Sequence, residues 1–141
     1  MSASGRVHRG RILVAGAARG HALVLDEPLS LWGGVDPATG EIVDRHHPQA
    51  GSNVAGAVLV MPWGKGSSSS STVLAEAIRA GTGPVGVVLA EPDPIIALGA
   101  IVARELYAIE VPVVVVGGDV FAGIRSDDEL ELRAGTLSIR A

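Results

Sequence analysis

Three short apolar runs constrain this chain more than any other feature. Val54–Met61, Val85–Leu89 and Val113–Val116 are almost free of polar side chains, whereas a strand with one wet face alternates apolar and polar residues. Runs of this kind read as strands buried on both faces, and the one ending at Pro62 is placed to be central. Helical spacing fills the intervals between them. Val73, Leu74, Ala77 and Ile78, closed by Arg79 and Gly81, predict a short amphipathic helix. Asp93-Pro94 supplies an N-cap and a first-turn proline for a second helix, with Ile95, Leu98, Val102 and Leu106 on one face. Strand-helix-strand-helix-strand implies parallel pairing with right-handed crossovers.

The ends of the chain follow other rules. Arg11–Ala15 and His21–Leu25, separated by Gly16 and Gly20, read as an antiparallel hairpin, and Glu129–Leu132 with Thr136–Ile139 alternate around Gly135 as a closing one. Between Pro28 and Gly51, the breakers Gly33, Gly34, Pro37, Gly40 and Pro48 allow no regular element longer than a few residues around Glu41-Ile42-Val43. This loop is expected to be mobile in the free chain and ordered by a partner, with Trp32 as an interface anchor. The expected fold is a single mixed α/β domain over residues 1–141, with 1–9 flexible, a mixed central sheet, flanking helices and terminal hairpins. One mixed sheet and a layered β/β/α arrangement both remain open at this point.

Composition removes whole classes of function. A net charge of -4 and the lack of a basic cluster beyond Arg6–Arg11 leave no electrostatic footprint for nucleic acid. No apolar run approaches the roughly 18 to 20 residues that span a bilayer, and the polar start carries no signal-type segment, so a cytoplasmic location is expected. There is no cysteine. The chain can offer no thiolate to an iron-sulfur cluster, and any such cluster belongs to a partner.

The segment richest in chemistry is Met61-Pro62-Trp63-Gly64-Lys65-Gly66-Ser67-Ser68-Ser69-Ser70-Ser71-Thr72, running from the end of a buried strand into a helix. In α/β sheets ligands bind beyond the carboxyl ends of strands, where a helix N-terminus offers unpaired N–H groups and a dipole that favours anions. A serine hydroxyl held among such donors has its alkoxide form stabilised and becomes a better base. The competing reading is a serine that N-caps the helix in a solvated polar loop. A nucleotide phosphate loop is excluded, because Lys65 is followed by Gly66 rather than by Ser or Thr, and no glycine stands where a nucleophile elbow needs one.

A second candidate group joins Trp32-Gly33-Gly34-Val35-Asp36-Pro37 to Asp44-Arg45-His46-His47-Pro48. His46 or His47 could transfer a proton or contact substrate, although adjacent histidines point apart in extended chain and chelate poorly. Asp36 could touch a ligand or simply form a turn before Pro37. His8 and His21 read as structural.

Taken together, Gly16–Val24, Pro28–Pro37, His46-His47-Pro48 and Gly64–Ser69 resemble the aconitase X small subunit in order and spacing, over nearly the whole chain. The resemblance implies a swivelling β/β/α domain docked on a large subunit that carries a cysteine-ligated iron-sulfur cluster. It implies a dehydratase, acting on cis-3-hydroxy-L-proline or, as the runner-up, on mevalonate 5-phosphate. It further implies that Ser67 is the catalytic base and Ser68 its neighbour, in a turn beginning at Gly66, while the partner's iron acts on the departing hydroxyl. Ser69 stands where aconitases carry an arginine for a substrate carboxylate, which argues against a tricarboxylate. Gly66, Ser68, Ser69, Lys65, Asp36, His46 and His47 are the candidate substrate-binding residues, and no metal ligand is expected in this chain. Two readings from other classes stand beside it: a phosphohistidine-type carrier or ligand-binding swivel domain using His46 or His47, and an assembly subunit without chemistry.

Overall fold

The computed structural model describes residues 6–65 and 69–141, with the side chains of Trp32 and Lys65 excepted. In chain order the elements are β1 (Arg6–Arg9), β2 (Arg11–Val14), β3 (Ala17–Val24), β4 (Leu29–Ser30), α1 (Leu31–Gly34), β5 (Val58–Met61) and β6 (Gly64–Lys65). They continue with α2 (Ser69–Ala80), β7 (Gly86–Leu89), α3 (Pro94–Tyr107), β8 (Val113–Val115), α4 (Gly118–Ala122), β9 (Glu129–Arg133) and β10 (Thr136–Arg140).

The three apolar runs form the parallel strands β5, β7 and β8 in that order, with α2 and α3 as the crossovers. Each strand buries both faces, and the alternation assigns its residues to two different cores. Leu59, Met61, Val87, Leu89 and Val113 face the helices and pack with Leu74, Ile78, Ile96, Ala100 and Ala103. Val58, Val60, Val88, Val114 and Val116 point the other way, onto Leu130, Leu132, Leu137 and Ile139. Those last four come from β9 and β10, so a second sheet layer covers the face that the helices leave bare.

The layers are joined by β3. Its first half, Ala17–His21, pairs antiparallel with β9, and its second half, Ala22–Val24, pairs parallel with β5. The full order is β1-β10-β9-β3-β5-β7-β8-β2, a β/β/α arrangement obtained by bending one mixed sheet. The closing hairpin turns through Ala134 (φ 51) and Gly135 (φ 79), the two left-handed residues that a tight hairpin requires.

Four expectations are corrected. Arg11–Val14 and Ala17–Val24 do not form a hairpin: β2 pairs antiparallel with β8 at one edge, while β3 lies four strands away. The residues of neither strand name a neighbour, which long-range pairing decides. Arg6–Arg9, grouped with a flexible lead-in, is strand β1 paired with β10. The buried face of α3 is Ile96, Gly99, Ala100 and Ala103, whereas Leu98 and Leu106 are exposed. A helix apolar all round offers two stripes, and close packing on α2 selects the one with small residues. Finally, the segment from Pro28 to Gly51 is anchored locally. Leu29, Leu31, Val35 and Ile42 are all buried, β4 pairs with β6, and Val35 and Glu41 bridge to Ile42 and Asn53.

Candidate active site

Strands β3, β5, β7 and β8 point the same way, so the segments leaving their carboxyl ends gather on one edge of the sheet. Met61 leads through Pro62 and Trp63 into β6 and then to the serine segment, which continues as α2 from Ser69. Gly66, Ser67 and Ser68 lie outside the described residues, so their roles remain those given by the sequence. What is described is how the segment is entered and left.

Its entry is held on two sides. On one, Leu29 and Ser30 of β4 pair with Gly64 and Lys65. On the other, the Pro62 carbonyl accepts from the Ala90 and Glu91 N–H groups at 3.1 and 3.0 Å, and the Gly64 N–H donates to Asp93 Oδ2 at 2.7 Å. The exit is helical: Ser69 is exposed, while Ser70 and Ser71 are buried. The Ser70 hydroxyl is enclosed without a hydrogen-bond partner among the described residues.

The two histidines diverge. His47 is buried, with Nε2 3.0 Å from the Glu27 carbonyl and Nδ1 accepting from the Gln49 N–H at 3.0 Å. Both ring nitrogens are thereby committed, which fixes a neutral ring protonated at Nε2. This ring, with the paired Asp26 and Gln49 amide contacts, staples the 44–50 turn to the end of β3. His46 is exposed on that turn, its N–H donating to Asp44 Oδ1.

Asp36 is a turn former. Its Oδ1 accepts from Ala38 N–H, and its carbonyl accepts from Thr39 and Gly40. The Thr82 hydroxyl, just past the far end of α2, donates to the Pro37 carbonyl at 2.9 Å. Helix α2 has 12 residues, hence a length of about 18 Å, so the turn holding Asp36 is tied to the end opposite the serines. An apolar groove of about 340 Å³ runs between, lined by Leu31, Val35, Pro37, Thr72 and Val73.

At the rim of this groove Glu76 links the two helices. It accepts from Arg79 at 2.9 Å and from the Tyr107 hydroxyl at 3.0 Å, and these two contacts, Arg79 first, hold its carboxyl below the ordinary range. Glu76 and Arg79 are exposed and Tyr107 is half-buried, which marks a surface cross-link rather than an acid-base centre. No group of three or more His, Asp or Glu side chains that could hold a metal occurs among the described residues. With cysteine absent as well, the residues present do not fit an iron-sulfur cluster.

Sequence reasoning took Asp93 only as a helix cap and missed its bond to Gly64. The cap is a local pattern, whereas the second partner lies 29 residues upstream and leaves no periodic trace. Ser70 was hidden in a run of identical residues, where burial is decided by the helix phase.

With this geometry in place, the likenesses to known proteins become interpretable. A sequence model of the aconitase X swivel domain matches residues 7–140. Over 107 residues the chain is 49% identical to a cis-3-hydroxy-L-proline dehydratase of Pseudomonas aeruginosa, covering 76% of this chain and 18% of that protein. It is 44% identical over 93 residues to a phosphomevalonate dehydratase small subunit of Methanothermobacter thermautotrophicus, covering 66% of this chain and 71% of that one. A crystal structure of Thermococcus kodakaraensis aconitase X in its holo form superposes with a TM-score of 0.85 at 30% identity, covering 96% of this chain and 99% of the matched chain. The sequence model and the solved structure agree, and the chain belongs to the aconitase X swivel domain family.

Proposed function

We propose that the chain is the swivel part, or small subunit, of an aconitase X type hydro-lyase that dehydrates cis-3-hydroxy-L-proline. The observation that carries the substrate choice is the 49% identity to the Pseudomonas aeruginosa dehydratase of that substrate. The geometry supports the chemistry. A serine segment lies between the carboxyl end of a buried central strand and a helix N-terminus, where N–H donors stabilise an anion. In this reading Ser67 removes the α-proton of the substrate as the 3-hydroxyl leaves, and Gly66, Ser68, Ser69, Lys65 and His46 contact the substrate. His47 and Asp36 support the loop rather than the ligand.

The cysteine-ligated iron-sulfur cluster of the family is assigned to the large subunit, together with the rest of the substrate pocket. The complex is cytoplasmic, and none of the helices among the described residues is long and apolar enough to cross a membrane. Mevalonate 5-phosphate is the alternative substrate, favoured by the 44% identity to the phosphomevalonate dehydratase small subunit of Methanothermobacter thermautotrophicus, 71% of which the match covers. Incubating the reconstituted complex, and each component alone, with both compounds tests the assignment. Turnover of cis-3-hydroxy-L-proline by the complex only is expected. Turnover of mevalonate 5-phosphate instead would move the substrate assignment, and turnover by the isolated chain would overturn the two-component reading.

A further inference from the structure

We infer that Asp93 is a positioning residue for the serine segment, resting on the reading of Ser67 as the base. Its two carboxylate oxygens have separate tasks. Oδ1 accepts from Ile95 N–H at 2.9 Å and Ile96 N–H at 3.1 Å, which completes the cap of α3. Oδ2 accepts the Gly64 N–H at 2.7 Å, from the strand that enters the serine segment. A cap needs one acceptor, and Ser, Thr or Asn would supply it. The second oxygen is surplus to the helix.

Asp93 is buried, and its bond to Gly64 is charge-assisted, the stronger class of hydrogen bond. The approach is close enough to dictate the residue at 64. A Cβ there would sit 2.6 Å from Asp93 Oδ2 and 2.9 Å from Ile96 Cγ1, so only glycine lets the strand lie against the helix end. Together with the bonds from Ala90 and Glu91 to the Pro62 carbonyl, this fastens both residues flanking Trp63 to the loop between β7 and α3. Ser67 follows Gly64 by three residues. Proton abstraction needs the base within hydrogen-bond reach of its proton, and an error of about 1 Å costs on the order of a hundredfold in rate. Asp93 therefore acts on catalysis through the backbone of residue 64, without touching substrate.

Asp93→Asn separates the two tasks. The amide oxygen can still cap α3, but its NH2 group faces the Gly64 N–H and cannot accept from it. Asp93→Ser keeps a capping hydroxyl that is too short to span to Gly64. Three quantities are read on each variant in the reconstituted complex or the free chain: amide hydrogen exchange at Gly64, melting temperature, and kcat with KM for cis-3-hydroxy-L-proline. The expected result is Gly64 exchange faster by roughly tenfold or more, a melting temperature within a few degrees of wild type, and kcat lower by about tenfold or more with KM nearly unchanged. Wild-type kcat in either variant, while Ser67→Ala is inactive, overturns the positioning role and leaves the proposed function intact. A fall in kcat that only tracks lost stability overturns it too, as does unchanged Gly64 exchange. If Ser67→Ala turns over like wild type, the base assignment fails and the positioning role fails with it.

Discussion

Gly99 lies within α3, where alanine ordinarily stabilises a helix by about 1 kcal/mol relative to glycine. The opposite sign is expected here. A Cβ at residue 99 would stand 2.8 Å from the Ser71 carbonyl oxygen, 2.9 Å from Leu74 Cδ2 and 3.0 Å from Leu74 Cβ, whereas ordinary contact begins at 3.4 Å. The Ser71 oxygen is backbone and cannot rotate aside, so α2 must retreat by 3.4 minus 2.8, or 0.6 Å. Overpacking of this kind costs about 1 to 3 kcal/mol. Set against the propensity gain, a net loss of up to about 2 kcal/mol remains for Gly99→Ala, which lowers the melting temperature of a domain this size by up to roughly 6 °C. Thermal and urea unfolding followed by far-UV circular dichroism measure it, with Leu98→Ala on the exposed side of the same helix as a control within about 1 kcal/mol of wild type. A melting temperature raised above wild type in Gly99→Ala, by the full helix-propensity gain of about 1 kcal/mol, would show that α2 and α3 are not in close contact at this crossing, and the choice of the small-residue stripe as the buried face would be refuted.

Two further outcomes concern the glycine- and proline-rich segment between Pro28 and Gly51. Ile42→Ala removes a buried side chain that pins this segment to the core, and a loss of about 2 to 4 kcal/mol with faster amide exchange across residues 40–54 is expected in urea titration and hydrogen exchange. His47→Ala leaves the Glu27 carbonyl and the Gln49 N–H without their partner, costing about 1 to 3 kcal/mol; nitrogen NMR of the wild-type ring should show the neutral form protonated at Nε2, and a ring protonated at Nδ1 would contradict the staple.

The parts of the fold legible in the sequence were those governed by short-range rules. The doubly buried strands announced themselves by missing alternation, α3 by Asp93-Pro94, and the last hairpin by Gly135 between alternating runs. What was not legible depended on partners far away in the chain. Nothing within Arg11–Val14 says that its neighbour is β8, about 100 residues later. The same holds for Leu29, Leu31, Val35 and Ile42, which look sparse among glycines and prolines until α2 is laid beside them. On α3 the eye follows the large residues, yet Gly99, Ala100 and Ala103 are the ones that allow approach. At the candidate site the family motif located the serine segment. The bond from Gly64 to Asp93 could be seen only in three dimensions.

The claim on which the functional reading rests is that Ser67 is the base. The direct measurement is turnover of cis-3-hydroxy-L-proline by the complex of the large subunit with Ser67→Ala, alongside a binding titration showing that the variant associates normally. A fall in kcat on the order of a hundredfold or more, with unchanged association, is expected for the loss of a proton-transfer base. Turnover within a few-fold of wild type in a fully formed complex would contradict it and leave this chain an assembly subunit without chemistry of its own.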